Sequence, residues 1–202
     1  MSLALSCIVE GHGDVSAVPI LVRQIAQAWD STSNVHVGPC LRVPRYRLVK
    51  DGELERAIEL AARKMQSKGA ILVLVDSDDD CPAQLGPELL RRAQKQRATS
   101  PIAVVLAKFE FENWFLAAAE SLRGKRGLPH DLQEPAEPEG IRGAKEWLSA
   151  QMPPGRSYRE ILDQPALTAA LDLNSARRAR SFDKCYRDIT SLLDRVKQLN
   201  ET

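Results

Sequence analysis

Three short apolar runs, separated by segments with helical periodicity, constrain the fold of this chain more than any other feature. The runs cover residues 3–9, 70–75 and 102–107. Their length and continuous hydrophobicity are typical of strands that are buried on both faces. Between them, apolar residues recur every three or four positions, as from Val15 to Trp29, which indicates one face of a helix. We therefore predict an α/β fold with a Rossmann-like parallel sheet flanked by helices.

A shift in composition divides the 202 residues. Residues 123–141 contain three prolines and several acidic residues, which is typical of a surface loop or linker. We predict an α/β domain over residues 1–122, a linker over 123–141, and a C-terminal helical extension over 142–202 that packs on the first domain. Within the first domain, Pro44 and its polar neighbours predict an edge strand or loop over residues 41–48.

Charge, hydropathy and cysteine usage exclude several classes of protein. The 28 Lys and Arg residues against 27 Asp and Glu leave a net charge of +1, so no overall basic excess indicates a nucleic-acid binder. No apolar run approaches the ~18 residues of a membrane span, and the first residues lack the basic region of a signal peptide. The four cysteines have no paired spacing, which favours reduced thiols over disulfides in a chain without an export signal. They also form no zinc-binding pattern with the three histidines. We expect a cytoplasmic protein that does not associate with membranes.

Acidic residues follow each of the three predicted strands. They are, strand by strand, Glu10 and Asp14, then Asp76 and Asp78, then Glu110 and Glu112. The carboxyl ends of neighbouring parallel strands meet at one edge of a sheet, so we expect these side chains to converge. Converging carboxylates repel each other unless a cation is present, and hard oxygen ligands favour Mg²⁺, Mn²⁺ or Ca²⁺. Gly11 and Gly13 also permit a phosphate to approach the backbone before the first helix.

Two basic segments are candidates for contact with nucleic acid. In the first, Arg45, Tyr46 and Arg47 combine positive charge with an aromatic ring, which suits a phosphate backbone and a stacked base. The alternative is an edge-strand surface whose charge resists aggregation. In the second, Arg180 and the arginines just before it are candidates for phosphate contact, or form a solvated helix end.

The motif Val-Glu-Gly-x-x-Asp at residues 9–14, followed by a hydrophobic strand that ends in Asp76-x-Asp78, resembles the TOPRIM domain of topoisomerases, primases and OLD-family nucleases. The segments 109–114, 143–148 and 181–183 resemble a family of small, mostly bacterial TOPRIM-like proteins of unassigned function. The resemblance implies metal-dependent phosphodiester chemistry. Glu10 would act as a metal ligand or as a general acid or base, and Asp76 and Asp78 would hold the metal.

The same resemblance implies further site residues. Asp14 would share the metals, and Glu112 matches the acidic residue that follows the next strand, with Glu110 as a competitor. A downstream lysine would stabilise the negative charge of the transition state. Lys145 is the first candidate for this lysine and Lys184 is the second. The tyrosines have no recognisable topoisomerase motif around them, so topoisomerase activity is not expected.

We therefore expect a Mg²⁺- or Mn²⁺-dependent nuclease that hydrolyses DNA or RNA, and the family resemblance adds an abortive-infection-like role as a defence or toxin effector. Two alternatives stay open. One is a non-catalytic regulatory subunit that binds a metal or a partner and works with a separate ATPase, since this chain has no Walker motif of its own. The other is a nucleotidyl- or phosphotransfer enzyme. Nucleic acid, a partner ATPase and a second copy of this chain are the candidate partners.

Overall fold

The computed structural model describes residues 2–65 and 68–201, and strands alternate with helices along the first half of the chain. The strands are β1 (Ser2–Val9), β2 (Asn34–Val37), β3 (Leu41–Arg42), β4 (Gly69–Asp76) and β5 (Ile102–Ala107). The helices are α1 (Asp14–Trp29), α2 (Arg45–Leu48), α3 (Glu53–Lys64), α4 (Pro82–Gln96), α5 (Asn113–Ala117), α6 (Ala144–Ala150), α7 (Glu160–Ala170), α8 (Leu173–Ala176) and α9 (Arg180–Glu201). Short 3₁₀ turns lie at Ala119–Leu122 and Pro138–Gly140.

These strands form one parallel sheet in the order β2–β1–β4–β5, and β3 also pairs with β1. Strand β2 pairs with residues 2–5 of β1, and β3 pairs with Ile8 and Val9 at the other end of the same strand. Both therefore lie on the side of β1 that faces away from β4. The predicted α/β fold with a parallel sheet flanked by helices is confirmed, and it is consistent with a Rossmann-like fold.

Each face of the sheet is covered by its own hydrophobic cluster, because successive strand residues point to opposite faces. Leu72 and Leu74 of β4 belong to a cluster with apolar residues of α1, α5, α7 and α9. Ile71 and Val73 belong to a second cluster with residues of α3 and α4. Strands that are covered on both faces have no polar side, which explains the continuous apolar runs of the sequence.

Helix α9 closes the first of these clusters. Its buried positions include Phe182, Ile189, Leu193 and Val196, which recur at helical spacing, and charged residues occupy the opposite side. Although α9 has 22 residues, neither it nor any other helix within 2–65 and 68–201 is apolar enough over sufficient length to cross a membrane.

An aromatic cluster joins α9 to the end of β5. Trp114 is fully buried, its ring centroid lies 5.2 Å from that of Phe182, and its Nε1–H donates to Ser181 Oγ at 2.8 Å. The ring of Phe111 packs beside Trp114 at 4.7 Å. Two segments that are about 70 residues apart in sequence are thereby fixed to each other where the strand ends.

The segment over residues 123–141 is tied to the rest of the molecule. Leu128 and Leu132 are buried in the cluster that includes α1 and α9. The side-chain amide of Asn113 donates to the carbonyls of Pro138 and Ile141 at 2.7 and 2.8 Å. The division of the chain at residues 122 and 141 stays a prediction.

The segment 41–48 differs in part from its prediction. Residues 41–42 form the short edge strand β3, but residues 45–48 form the helical turn α2 instead of continuing as strand or loop. Pro44 lies at the N-terminus of that turn, where the missing N–H of proline removes no helical hydrogen bond. The proline that marks the end of the strand therefore also marks the start of a helix.

We predict that Phe182→Ala lowers the free energy of unfolding by about 3–5 kcal/mol, because it removes a buried ring from the cluster that joins α9 to the sheet. Urea unfolding followed by circular dichroism and by tryptophan fluorescence measures this. Tyr46→Ala is the control, because Tyr46 is 64% exposed and its removal leaves no cavity. Separate transitions for α9 and the sheet, or equal effects of the two variants, would contradict the prediction.

Candidate functional site

Strands β1, β4 and β5 end side by side at one edge of the sheet, which we call the carboxyl edge. Glu10 follows β1, Asp76 is the last residue of β4, and the chain after β5 leads to Glu112. Asp14, the first residue of α1, joins them. Because the three strands are neighbours in the sheet, their ends bring these residues together. We call Glu10, Asp14, Asp76 and Glu112 the carboxylate cluster.

Backbone N–H groups hold Glu10 and Asp76 in place. Glu10 Oε2 accepts a hydrogen bond from the Asp76 N–H at 3.3 Å. Asp76 Oδ1 accepts one from the Phe111 N–H at 2.8 Å. Each bond links the end of one strand to the next, so the positions of both carboxylates follow from the order of the sheet.

Asp14 is buried and is held from two directions. Its Oδ2 accepts a hydrogen bond from the Gly11 N–H at 2.8 Å, and its Oδ1 accepts one from Gln164 Nε2 at 2.7 Å. Gln164 belongs to α7, so the C-terminal part of the chain reaches this site. A Cβ at Gly13 would overlap Gln164 Oε1, and glycine is therefore required there. The space that the sequence suggested for a phosphate is filled by protein.

Glu112 is only 1% exposed. Its Oε1 accepts a hydrogen bond from the Tyr158 hydroxyl at 2.8 Å. Its Oε2 is buried and has no hydrogen-bond partner among the described residues, and Lys145 Nζ lies 3.8 Å from it. A buried carboxylate oxygen that faces one ammonium group without a hydrogen bond is incompletely satisfied, and an added cation would relieve it.

Lys145, on α6, is the basic group of the site. Its Nζ lies 3.8 Å from Glu112 Oε2 and 3.7 Å from Glu160 Oε2. Glu160, at the start of α7, also accepts a hydrogen bond from the Gly13 N–H at 2.9 Å. The lysine thus lies between a carboxylate of the sheet edge and a carboxylate of the C-terminal segment.

Sequence reasoning missed Tyr158, Glu160 and Gln164. All three lie in the C-terminal segment. Glu160 and Gln164 belong to α7, which packs on α1, and Tyr158 lies just before α7, where its N–H donates to Ser149 Oγ of α6 at 3.0 Å. In the sequence, Glu160 is an ordinary acidic residue in the first turn of a helix. The available signal was Gly13, which indicates a close approach to the backbone without showing which group approaches.

Burial raises the pKa values of the two glutamates. Burial raises the pKa of Glu10 to about 7, and the charges of Asp78 and Asp14 act in the same direction. Burial also raises the pKa of Glu112 to about 7, although the positive charge of Lys145 opposes that change. Both side chains therefore exchange protons near neutral pH.

Burial and neighbouring charges also shift the pKa values of Asp14, Asp76 and Lys145. Burial raises the pKa of Asp14, and it raises that of Asp76 well above its ordinary value, with the charge of Glu112 as the next cause. Burial would lower the pKa of Lys145, but Glu112 and Asp76 outweigh it, so the pKa is raised and the ammonium stays charged. The cluster therefore combines excess negative charge with one fixed positive charge.

The loops after β4 and β5 hold each other in strained conformations. Asp78 and Phe109 have φ angles of +47° and +59°, which cost about 1–3 kcal/mol each for residues other than glycine. The Asp78 N–H donates to the Phe109 carbonyl at 3.1 Å, and the Phe109 N–H donates to Ser77 Oγ at 2.9 Å. Such strain persists only where the surroundings enforce it, and it is concentrated at functional sites.

Asp78 lies on the solvent side of the cluster. Its side chain is 58% exposed and lies 3.5 Å from Arg45 Nη1. The guanidinium of Arg45 also donates to the carbonyls of Asp76 and Ser77 at 3.0 and 3.3 Å, and it pairs with Asp80. Arg45, a predicted nucleic-acid contact, thus supports the loop that carries two predicted metal ligands.

Tyr46 and Arg47 have exposed side chains next to this loop. Tyr46 is 64% exposed, with Lys50 Nζ at 5.6 Å from its ring centroid. Arg47 Nε donates to Glu53 Oε2 at 3.0 Å. The contact of these two residues with nucleic acid stays a prediction.

The structure separates the residues between which the sequence left a choice. Glu112 belongs to the carboxylate cluster, whereas Glu110 accepts a hydrogen bond from the backbone N–H of Lys145 at 3.3 Å. Lys145 faces the cluster, whereas Lys184 Nζ donates to the Val104 carbonyl at 3.1 Å. These positions favour Glu112 and Lys145, and their roles stay predictions.

The carboxylates are neighbours, but they do not form a coordination set. Within residues 2–65 and 68–201, no group of three or more His, Cys, Asp or Glu side chains is arranged to hold a metal ion. The type of donor and the excess of negative charge suit a hard divalent cation, whereas the coordination geometry gives no support.

Fold and site together define a class: an α/β protein whose parallel sheet carries buried carboxylates and one lysine at its carboxyl edge. The chain belongs to a family described as a domain of unknown function, DUF4276, whose model matches residues 9–189. The matched range contains the whole carboxylate cluster and also Lys145 and α7. The match gives no link to TOPRIM domains or OLD nucleases. The comparisons with curated proteins and with solved structures gave no match.

We predict that, in the presence of a chelator, the protein loses stability as the pH rises from about 5 to 8. The pKa of Glu112 is raised from 4.5 to about 7 in the folded state, so the unfolded chain releases its proton first. The stabilisation is complete below the unfolded pKa and is lost as the pH rises through the folded pKa, a change on the order of 2–3 kcal/mol. Urea unfolding at stepwise pH measures it.

Glu112→Gln should reduce this pH dependence, because the amide does not titrate, and should leave the part that comes from Glu10, whose pKa is also raised to about 7. Glu88→Gln is the matched control, since Glu88 is exposed on α4 and should leave the curve unchanged. A curve of Glu112→Gln that coincides with that of the unmodified protein would contradict the assignment.

Proposed function

We propose that this chain is a Mg²⁺- or Mn²⁺-dependent nuclease with a TOPRIM-like site. The observation that supports the proposal is the convergence of Glu10, Asp14, Asp76 and Glu112 at the carboxyl edge, beside Lys145. Hydrolysis of a phosphodiester brings negative charge onto the phosphate, and catalysis of this kind needs cationic groups held in fixed positions.

The donor set fits a hard divalent cation in its chemistry. Glu10, Asp14, Asp76 and Glu112 supply oxygen ligands, with Asp78 at the solvent side. Glu112 Oε2 is buried without a hydrogen-bond partner in the described residues, so it has coordination capacity left. A bound ion would supply charge neutralisation and a more acidic water molecule.

The remaining groups suit proton transfer and charge stabilisation. Glu10 is either one of these ligands or the general acid or base. In the second role, its pKa of about 7, which burial raises, allows it to accept a proton from an attacking water molecule, or to return one to the leaving oxygen, near neutral pH. Lys145 keeps its proton and would stabilise the negative charge that develops on the phosphate. Tyr158 holds Glu112 in position through its hydroxyl.

The substrate we propose is DNA or RNA, bound partly through the surface at Arg45, Tyr46 and Arg47. Arg47 and Tyr46 are exposed and would contact a phosphate and a base. Arg45 would act mainly by holding the loop after β4. A cytoplasmic location, a second copy of this chain and a role as a defence effector beside a partner ATPase belong to the same proposal.

One observation favours a second candidate function. Lys145 already places a positive charge among the carboxylates, and the described residues contain no three-donor metal set. The second candidate is therefore a non-catalytic subunit whose acidic edge binds a metal or a basic partner and regulates a separate ATPase. Metal binding without cleavage of any nucleic acid would favour it.

We predict that the purified chain cleaves plasmid DNA, single-stranded DNA or tRNA with Mg²⁺ or Mn²⁺ and not with EDTA. Asp76→Asn and Glu10→Gln should each lower the cleavage rate by about 10²–10³-fold, because each removes a charge that acts in the transition state. Gel assays under single-turnover conditions measure the rate. Glu88→Gln should retain full activity.

Thermal unfolding with and without Mn²⁺ shows whether a variant that does not cleave nucleic acid has also lost metal binding. In the proposed enzyme, Mn²⁺ raises the midpoint of the unmodified chain and raises that of Asp76→Asn less. Cleavage that persists at full rate in Asp76→Asn or Glu10→Gln would remove their proposed roles. A chain that neither binds metal nor cleaves any of the three substrates would overturn the proposal.

We predict that Lys145→Gln lowers the cleavage rate at least ~100-fold, because it removes the ammonium group next to the cluster. Lys184→Gln is the matched control, because Lys184 lies beside β5 and not in the cluster. The same single-turnover assay applies, with circular dichroism to verify folding. A larger loss of cleavage rate in Lys184→Gln than in Lys145→Gln would assign the catalytic role to Lys184 instead.

A further inference from the structure

Two cysteines face each other across neighbouring strands of the sheet. Cys7 lies within β1, and Cys40 is the residue immediately before β3. The register of these two parallel strands pairs Ile8 with Leu41. One step back along both strands, Cys40 therefore lies opposite Cys7. Both residues carry free thiols.

The two side chains point to the same face of the sheet. Cys7 is fully buried in the hydrophobic cluster that α1 covers, and the half-buried Cys40 packs against the same cluster. Neighbouring strands lie about 4.8 Å apart. The Cα atoms of disulfide-bonded cysteines are about 4.4–6.8 Å apart, so two cysteines at facing positions with side chains on one face are within bonding reach.

The segment that carries Cys40 is fixed at both ends and irregular between them. The Gly38 N–H donates to the Leu5 carbonyl at 2.9 Å, and the Val43 N–H donates to the Val9 carbonyl at 2.8 Å. Between these two hydrogen bonds, the segment has one residue more than the facing stretch of β1. An extra residue on one strand forms a bulge. The small backbone shift that a disulfide needs at Cys40 therefore leaves the pairing on either side intact.

The two thiols differ in reactivity. A hydrogen bond with Cys7 lowers the pKa of Cys40, and the charge of Arg23 acts in the same direction, against burial and the charge of Asp14. The same hydrogen bond, together with burial, raises the pKa of Cys7. Since the thiolate is the nucleophile and Cys40 is the more accessible sulfur, Cys40 is suited to react first and Cys7 to resolve the product.

We propose that Cys7 and Cys40 form a dithiol that a hydroperoxide oxidises to an intramolecular disulfide. The Cys40 thiolate attacks one peroxide oxygen and the O–O bond breaks, which gives a sulfenic acid and, after protonation, an alcohol or water. The Cys7 sulfur then attacks the Cys40 sulfur. The S–O bond breaks, and the leaving hydroxide takes the Cys7 proton to become water. The two thiols give up two electrons and two protons, which the peroxide takes up.

The position of the pair favours a small oxidant. Cys7 is 0% exposed and Cys40 is half-buried, so a hydroperoxide reaches Cys40, whereas a bulky disulfide such as oxidised glutathione is hindered. The new bond would also lie close to the carboxyl edge. Glu10 comes three residues after Cys7, and Arg42 Nη1 donates to the Glu10 carbonyl at 3.5 Å. The proposal does not depend on the proposed nuclease activity.

Oxidation of the full chain with hydrogen peroxide tests this pair. Cys81 is exposed, so Cys81→Ser removes the thiol most open to side reactions and leaves three of the four cysteines. Peroxide should leave one free thiol and lower the mass by about 2 Da, the two hydrogens lost. Peptide mapping after alkylation should link Cys7 to Cys40, and dithiothreitol should reverse the change. Oxidised glutathione should form the same bond at least ~10-fold more slowly.

Single variants separate the roles of the two sulfurs. In the same Cys81→Ser chain, Cys7→Ala should trap the sulfenic acid of Cys40, which dimedone labels, because the resolving thiol is missing. Cys40→Ser should leave Cys7 reduced, and its half-buried position tolerates the exchange. Cys185→Ala is the matched control, because Cys185 is buried in the same cluster but outside the pair, and it should not change the link.

Thermal unfolding followed by circular dichroism measures how well the bond fits. The disulfide closes a loop of about 33 residues and should raise the unfolding midpoint by at least ~5 °C. A lower midpoint after oxidation would overturn the proposal, because the bond would then distort the folded state. Oxidation of Cys40 without a link to Cys7, a link between Cys7 and Cys185, or three free thiols after peroxide treatment would each overturn it as well. Loss of cleavage with an intact Cys7–Cys40 link would concern the nuclease proposal alone.

Discussion

The convergence of four carboxylates, two of them buried and two half-buried, at one edge of the sheet is the constraint on which the rest of this structure depends. Each carboxylate is brought there by the end of a strand or the start of a helix, and each would repel the others in a dry environment. The protein offsets this with backbone N–H donors, with protons held by raised pKa values, and with the single ammonium of Lys145. Helices α6 and α7 are placed where they can supply these compensating groups.

The C-terminal segment is therefore part of the site. Gln164 contacts Asp14, Tyr158 contacts Glu112, and Glu160 contacts both Gly13 and Lys145. A carboxylate cluster built by the sheet alone would keep its charges facing water. When α7 packs on α1, it removes that water and replaces it with specific donors, which raises the pKa values and strengthens every remaining interaction.

The residues show how far the sequence determines this arrangement. The three buried strands are predictable because they are apolar on both faces, and the positions of Glu10 and Asp76 follow because each comes where a strand ends. Gln164 and Tyr158 could not be found in the same way. Their side chains act across more than 40 residues of sequence, and nothing in their local pattern distinguishes them from ordinary helix or loop residues. The helical turn at Arg45 was missed for a local reason, since Pro44 is compatible with the end of a strand and with the start of a helix.

A purely structural role does not account for the carboxylate cluster. Apolar residues of similar volume usually replace buried ionic groups without loss of stability, and often with a gain. Here the acidic groups destabilise the folded state at neutral pH, and the strained residues Asp78 and Phe109 add to that cost beside them. Local conflicts with foldability that gather at one place in a structure indicate a functional site. The carboxyl edge combines both kinds of conflict, and this supports the proposal that the functional site of the protein lies there.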